Sequence, residues 1–222
     1  MASMILYSYS KSSSAFRVRI ALNLKSIAYD IHAVNLLPDN TGGQAENWHE
    51  DYLSINPQGL VPALSVDEQI ISQSSAIMEY LQEVYPETPL LPENTLQRAY
   101  VRSLVQIISC DIQPLNNLRV LDYLKTQFNC NKTQIDQWYS QWISEGLTAF
   151  EKQLNTHSHQ KGFCAGDNPG LADAFLIPQL YNARRYQCDI SHLKQCTFIE
   201  KNCLTIRAFQ DALPENQADY IT

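Results

Sequence analysis

The chain has 222 residues, 45% of them hydrophobic, with sixteen basic and twenty-three acidic residues for a formal net charge of −7. That length and composition suit one or two compact domains and exclude a disordered chain. An acidic chain with no basic run excludes general nucleic-acid binding, and an anionic ligand needs a local cluster of positive groups because the global field opposes it.

The opening MASMILYSYSK lacks the apolar core of a signal peptide, and no stretch approaches the roughly 20 apolar residues that span a bilayer. MILYSYS suits a short strand. In SAFRVRIALNLK, Phe16, Ile20, Ala21 and Leu24 fall at helical spacing, with Arg17 and Lys25 off that face. AYDIHAVNL alternates as a second strand. The polar excursion LLPDNTGGQAENWHEDYLSINP contains Gly42-Gly43 and ends in the turn signal Asn56-Pro57. LVPALSV and QII suit a hairpin around Asp67-Glu68. SSAIMEYLQEVYP is helical, with Ile77, Tyr80, Leu81 and Val84 in register, and Pro86 stops it. The order β-α-β, connection, β-β-α predicts a thioredoxin-like α/β layer over residues 1–85, its crossover helix joining parallel strands.

PETPLLPEN, with its three prolines, reads as a linker over 86–94. Residues 95–222 read as an all-α domain. LQRAYVRSLVQIISCDIQPLNNLRVLDYLK gives a long helix bent or broken near Pro114, where an interior proline removes a backbone bond. KTQIDQWYSQWISEGLTAFEKQL places Ile135, Trp138, Trp142, Leu147 and Phe150 near one face, so Trp138 and Trp142 read as core. LADAFLIPQLYNARRY, HLKQCTFIEKNC and LTIRAFQDAL supply further helices. The six cysteines, Cys110, Cys130, Cys164, Cys188, Cys196 and Cys203, form no C-x-x-C pair and read as mostly inert thiols of a soluble, reduced, cytoplasmic protein, Cys110 buried among them. His157 and His159 in THSHQKG lack a third ligand and read as a polar loop rather than a metal site.

Three places offer chemistry. Ser12, Ser13 and Ser14 precede the first helix. One serine suffices as an N-cap, and capping accounts for it as well as function does. The functional alternative is a hydroxyl donating to an anion, such as a thiolate, at a helix N-terminus. Val61-Pro62 opens a strand: a cis bond there would expose the Val61 N–H and C=O to a ligand backbone, while a trans proline on an edge strand is slightly favoured by spacing. Gln73-Ser74 opens the next helix, where backbone N–H groups and a hydroxyl suit a carboxylate, and simple capping by Ser74 or Ser75 serves equally.

Together these pieces are specific. S-S-x-x-x-R-V-R-I-A-L, N-P-x-G-x-V-P-A-L and Q-S-x-A-I-x-E-Y-L resemble the glutathione transferases, and R-V-R-I-A-L after paired serines resembles the zeta class, the maleylacetoacetate isomerase family. DIQPLNNLRVL, FCAGDNPGLADAFLIPQLYNARRY and RAFQDALPENQADY are similar to that class in order and spacing, so the resemblance covers nearly the whole chain.

The resemblance implies a homodimer of thioredoxin-like plus all-helical domains, with glutathione as cofactor. It implies cis–trans isomerisation of maleylacetoacetate to fumarylacetoacetate, a small enoyl dicarboxylate, in tyrosine and phenylalanine catabolism. Ser12 matches the serine that bonds the thiol, with Ser13 beside it, and Ser14, Ala15, Phe16 and Arg17 continue the glutathione loop. Val61 would pair with the tripeptide backbone, and Gln73 and Ser74 with its γ-glutamyl end. Gln44 or Asn47 would reach in from the long loop. Gln113, Asn117, Leu118 and Arg119 match positions lining the site from the helical domain, and Arg185 matches an arginine suited to a substrate carboxylate. Arg17 and Arg119 serve equally well as substrate helpers or as solvated or helix-end charges.

Two departures stand out. Ser14 replaces the cysteine of the family's S-S-C, so any protein thiol there is gone, and a serine hydroxyl is far less nucleophilic at neutral pH. Gly170 replaces the Ser or Thr that opens the capping box G-L-A-D ending in Asp173, a change expected to cost only a few tenths of a kcal/mol. Maleylpyruvate isomerisation, transfer or dehalogenation of small α-halo acids, and non-catalytic glutathione binding are the competing readings.

Overall fold

The computed structural model describes residues 4–38, 43–157 and 161–220. In chain order the elements are β1 (Met4–Ser8), α1 (Ser13–Leu24), β2 (Asp30–Ala33), a 3₁₀ turn (Glu46–Trp48), α2 (Glu50–Ile55), β3 (Ala63–Val66), β4 (Gln69–Ser72), α3 (Ser74–Val84), α4 (Thr95–Gln106), a π turn (Ile107–Ile112), α5 (Leu118–Gln127), α6 (Lys132–Thr156), α7 (Leu171–Arg185), α8 (Lys194–Cys203) and α9 (Arg207–Asp211). They form two compact units, Met1–Pro89 with Thr205–Thr222, and Leu90–Leu204. Among the described residues no helix is long and apolar enough to cross a membrane.

In the first unit the sheet order is β2-β1-β3-β4, with β1 and β2 parallel and the other pairs antiparallel. The two-residue hairpin turn between β3 and β4 holds Asp67 and Glu68 at positive φ, 46° and 68°, as a turn matched to strand twist requires. β3 is therefore an interior strand, and Pro62 sits one residue ahead of it, which corrects the edge-strand reading of that proline. The Val61-Pro62 bond is cis. The polar excursion contains the 3₁₀ turn and α2, which no apolar periodicity announced.

α1 is buried on every side from Ser14 to Leu22, so its polar residues are not on a solvated face. Arg17 is 1% exposed and Arg19 0%. Arg19 survives burial because each of its three nitrogens donates: Nε to Ala212 O at 3.1 Å, Nη1 to Ser8 Oγ at 3.0 Å and Nη2 to Ser10 O at 3.0 Å. Lys25 Nζ donates to the Tyr85 and Thr88 carbonyls, both at 2.7 Å.

The helical domain expected over 95–222 is shorter at its end, because Thr205–Thr222 belongs to the first unit. Asn23 Nδ2 donates to Ala208 O at 3.0 Å, Arg19 holds Ala212, and Phe209 is fully buried. The unit boundary falls inside the proline-rich stretch, whose Leu90 and Leu91 are buried rather than solvated.

In the second unit the long helix is broken into α4, the π turn and α5. Pro114 lies in the break, and Asn117 caps the restart. Gly146 of α6 admits the π turn, since a Cβ there would lie 2.3 Å from Ile112 Cγ1. The buried residues of α6 include Tyr139, Ile143, Leu147, Phe150 and Leu154. Trp138 and Trp142 are only half-buried, packed edge to face with ring centroids 5.5 Å apart, which corrects their core assignment. Cys110 is exposed, not buried, while Cys164, Cys196 and Cys203 are buried and burial pushes those three thiols up.

Candidate active site

Ser12 is the N-cap of α1, and its Oγ accepts from the Ala15 N–H at 3.3 Å. A hydroxyl has one proton and two lone pairs, so this cap leaves the Ser12 proton available to donate outward. No acidic residue stands in the first turn to neutralise its positive end. Ser12 and Ser13 are partly exposed, whereas Ser14, Ala15, Phe16 and Arg17 are buried. The side chains of Ala15 and Phe16 therefore serve the core, and what that turn offers a ligand is backbone N–H.

A second open helix start lies in the same unit. Gln73 precedes α3 with φ 71° and ψ 116°, makes no side-chain cap, and again no acidic residue follows in the first turn. Its carboxamide Nε2 donates to Gln58 Oε1 at 2.7 Å, leaving Gln73 Oε1 as an acceptor. Ser74 is buried, and its Oγ accepts from Arg17 Nη1 at 3.4 Å. Burial pulls Arg17 down to about 9, still protonated at neutral pH. Arg17 is thus not a solvated charge. It is a buried cation beneath the N-terminus of α3.

Between these helix starts the sheet ladders end at Ala63, so the Val61 amide and carbonyl lie outside them. The turn before Val61 is held from behind. Tyr52 OH donates to Leu60 O at 2.7 Å, Asn56 Nδ2 donates to the same oxygen at 2.6 Å, and Asn47 Nδ2 donates to Gly59 O at 2.8 Å. Gly59 has φ 61°, and a Cβ there would lie 2.7 Å from the Trp48 ring, so the turn requires glycine. Asn47 is buried in this scaffold, while Gln44 is exposed with its carbonyl 2.9 Å from His49 Nε2. Sequence reasoning missed Gln58 and the Tyr52–Asn56 clamp, although Asn56 sits in the N-P-x-G run that signalled a turn.

The second unit carries the remaining candidates. Asn117 caps α5, its Oδ1 accepting from Arg119 N at 3.1 Å, with Leu118 and Arg119 exposed and Gln113 half-buried. Arg119 stands at the positive end of a helix, so the dipole does not account for its charge. Arg185 lies exposed in the last turn of α7, its guanidinium carbon 5.7 Å from the Tyr186 ring centroid. Tyr186 stacks on Tyr139 with centroids 3.6 Å apart. Asn116 Nδ2 donates to Tyr139 O at 3.0 Å, and Trp138 Nε1 donates to Leu115 O at 2.8 Å. One stretch of α6 therefore anchors both the 113–117 loop and the end of α7. Arg184 is bound to Glu200, whereas among the described residues Arg185 has no carboxylate partner.

Among the described residues no three His, Cys, Asp or Glu side chains form a metal-holding group. His157 stacks on Tyr100 at 3.8 Å, and His159 lies outside the described residues.

Residues 11–84 match the model of the glutathione S-transferase N-terminal domain. The maleylacetoacetate isomerase of Dictyostelium discoideum is 42% identical over 215 residues, covering 97% of this chain and 95% of that protein. Among solved structures, the holo form of a maleylpyruvate isomerase, a bacterial zeta-class glutathione S-transferase, superimposes with a TM-score of 0.93 at 38% identity over 98% of this chain and all (100%) of that one. The maleylacetoacetate isomerase of Anaeromyxobacter dehalogenans with glutathione bound in its active site gives 0.87 at 36% identity, covering 99% of each chain. A neutral serine cap at the start of α1 and these similarities lead to one assignment: the chain belongs to the zeta class of the glutathione S-transferases, the maleylacetoacetate isomerase family.

Proposed function

We propose that this protein isomerises the cis double bond of maleylacetoacetate to the trans form of fumarylacetoacetate, with glutathione as its cofactor, as a cytoplasmic homodimer. The carrying observation is Ser12: its oxygen accepts from the Ala15 N–H at the partly exposed start of α1, and its proton is left to donate to a ligand there. The donor set suits glutathione. Gln73 Oε1 is an acceptor for an ammonium, the α3 N-terminus above Arg17 suits an α-carboxylate, and the Val61 backbone is free to pair with a peptide.

Bound glutathione supplies the thiol whose reversible addition turns the double bond into a single bond about which the chain can rotate. The residues of this chain make that thiol anionic and hold the substrate. A free thiol near pKa 8.5 is only a few per cent ionised at neutral pH, and lowering it by about two units needs roughly 2.7 kcal/mol. A hydroxyl bond to a charged group gives about 1.5–3 kcal/mol. The helix end adds about 0.3–1 kcal/mol. Ser12 and α1 together suffice without a protein thiol, so Ser14 is compatible with activity. Ser13 and the Gln44 loop complete the glutathione contacts. In the helical unit Arg185 binds a substrate carboxylate and balances charge developing on the conjugated oxygen, with Gln113, Asn117, Leu118 and Arg119 as further lining groups.

Maleylpyruvate is the second reading, favoured by the similarity to the zeta-class maleylpyruvate isomerase. The test is the isomerisation rate of each diacid by purified protein with and without glutathione. A rate on maleylacetoacetate that vanishes without glutathione is expected. A larger specificity constant for maleylpyruvate would transfer the assignment, and no rate on either would overturn it. Arg185→Met is expected to raise KM for the diacid about tenfold while leaving glutathione binding unchanged.

A further inference from the structure

The closing segment of the chain returns to the loop that carries Ser12. The Ser10 N–H donates to Asp219 Oδ2 at 2.7 Å, and Ser10 Oγ donates to Asp219 O at 3.2 Å. Lys11 Nζ lies 5.0 Å from the Tyr220 ring centroid. From below, Arg19 Nη2 donates to Ser10 O at 3.0 Å while Arg19 Nε holds Ala212 O, so one buried guanidinium binds both the loop and the returning segment. The Ser12 N–H closes the loop by donating to Tyr9 O at 3.0 Å. Ser10 is 1% exposed and fixed on its N–H, hydroxyl and carbonyl.

We propose that Asp219 is a positioning residue for Ser12: its carboxylate fixes the Ser10 N–H, and with Arg19 it sets the path of the Tyr9–Ser12 loop and hence the direction of the Ser12 hydroxyl. The two charges have separate tasks. Arg19 is wholly inside and grips backbone carbonyls and Ser8, whereas Asp219 is half-buried and supplies a charged acceptor to the loop N–H. A charge-assisted bond to a backbone N–H is short and directional, which suits registration of a loop more than bulk stability. Asp219 touches no reacting atom. It acts through two residues of backbone, where an error of about 1 Å at the hydroxyl can cost on the order of 100-fold in rate.

The proposal rests on the assignment of Ser12 as donor to the glutathione thiolate, and the test separates the two. Amide exchange in the free protein and ultraviolet titration of the glutathione thiolate in the complex are measured for wild type, Asp219→Ala, Asp219→Asn and Ser12→Ala. Asp219→Ala should speed exchange at Ser10 and Ser12, raise the thiol midpoint by about half a unit and lower kcat about fivefold, with KM for glutathione little changed. Asp219→Asn keeps an acceptor for the Ser10 N–H and should restore the midpoint. A midpoint and kcat unchanged in Asp219→Ala, with Ser12→Ala shifting the midpoint, overturns the role of Asp219 alone. A midpoint unmoved by Ser12→Ala overturns the donor assignment beneath it. Faster exchange and a lower melting temperature without any midpoint shift would reduce Asp219 to a structural contact.

Discussion

The N-termini of α1 and α7 meet the same electrostatic problem and end in opposite states. At α7, Asp173 is 1% exposed; its Oδ2 accepts from Gly170 N at 2.8 Å and its Oδ1 from Cys164 N at 2.9 Å. The chain fills that positive end with a carboxylate of its own. At α1 the cap is a neutral, partly exposed serine with no acidic residue behind it, and α3 repeats the arrangement after Gln73. Neither start carries an acidic residue in its first turn, so the N–H donors of α1 and α3 are open to a ligand's anions. At α7 the filled helix start serves stability, whereas the starts of α1 and α3 remain open to a ligand.

Substitution at each end should separate these roles. Asp173→Ala leaves two backbone N–H groups without their carboxylate in the interior and should cost about 3 kcal/mol or more in urea unfolding. The properly folded fraction should keep its turnover per molecule. A loss of turnover without loss of stability would break the comparison. Ser12→Ala should show the reverse balance. Stability falls by about 1 kcal/mol as the cap is lost. Turnover near neutral pH should fall about 10- to 100-fold, because one charge-assisted bond to the thiolate is gone. The rising limb of its pH–rate profile should also move to higher pH, since without the donor the thiol ionises later.

Much of this contrast was legible in the sequence. The strand–helix order, the hairpin at Asp67-Glu68 and the capping positions of Ser12 and Asp173 all rest on local patterns whose physics is local. What escaped depends on burial from a distance. Arg17 and Arg19 look like the polar side of an amphipathic helix, yet α1 is enclosed all round and Arg19 is accommodated by carbonyls from Ser10 and Ala212. No periodicity in α1 announces a partner about two hundred residues away, since |i−j| for Arg19 and Ala212 is 193. Trp138 and Trp142 followed the apolar rule, but the interior took Tyr139 and Ile143, one residue further round the helix. Gln73 stands out in the sequence, but its partner Gln58 was invisible because nothing in the N-P-x-G turn marks that side chain.

Gly170 sharpens the α7 half of the comparison through its sign. Intrinsic cap preference says Gly170→Ser should help by a few tenths of a kcal/mol. The fold says otherwise, because a Cβ at Gly170 would lie 2.6 Å from Leu90 O, the oxygen that accepts from Leu171 N at 2.8 Å. Backbone cannot swing away as a flexible side chain can, so the substitution should cost about 1–2 kcal/mol, read as a lower urea midpoint.

The smallest effect is expected where the family pattern made the largest one look possible. Ser14 stands where the resemblance places a cysteine, two residues after the Ser12 cap. Were that thiol a nucleophile, Ser14→Cys would raise turnover by orders of magnitude. Ser14 is buried, 8% exposed, while Ser12 and Ser13 are the partly exposed members of the run. A buried group alters the site mainly through packing, and exchanging oxygen for the slightly larger sulfur is a small packing change. Turnover of Ser14→Cys should therefore stay within about threefold of wild type. Alkylation by iodoacetamide at that position should be slow compared with the exposed Cys110. A rise above about tenfold would mean that a protein thiol shares the chemistry, and the open helix start of α1 would then be only part of its machinery.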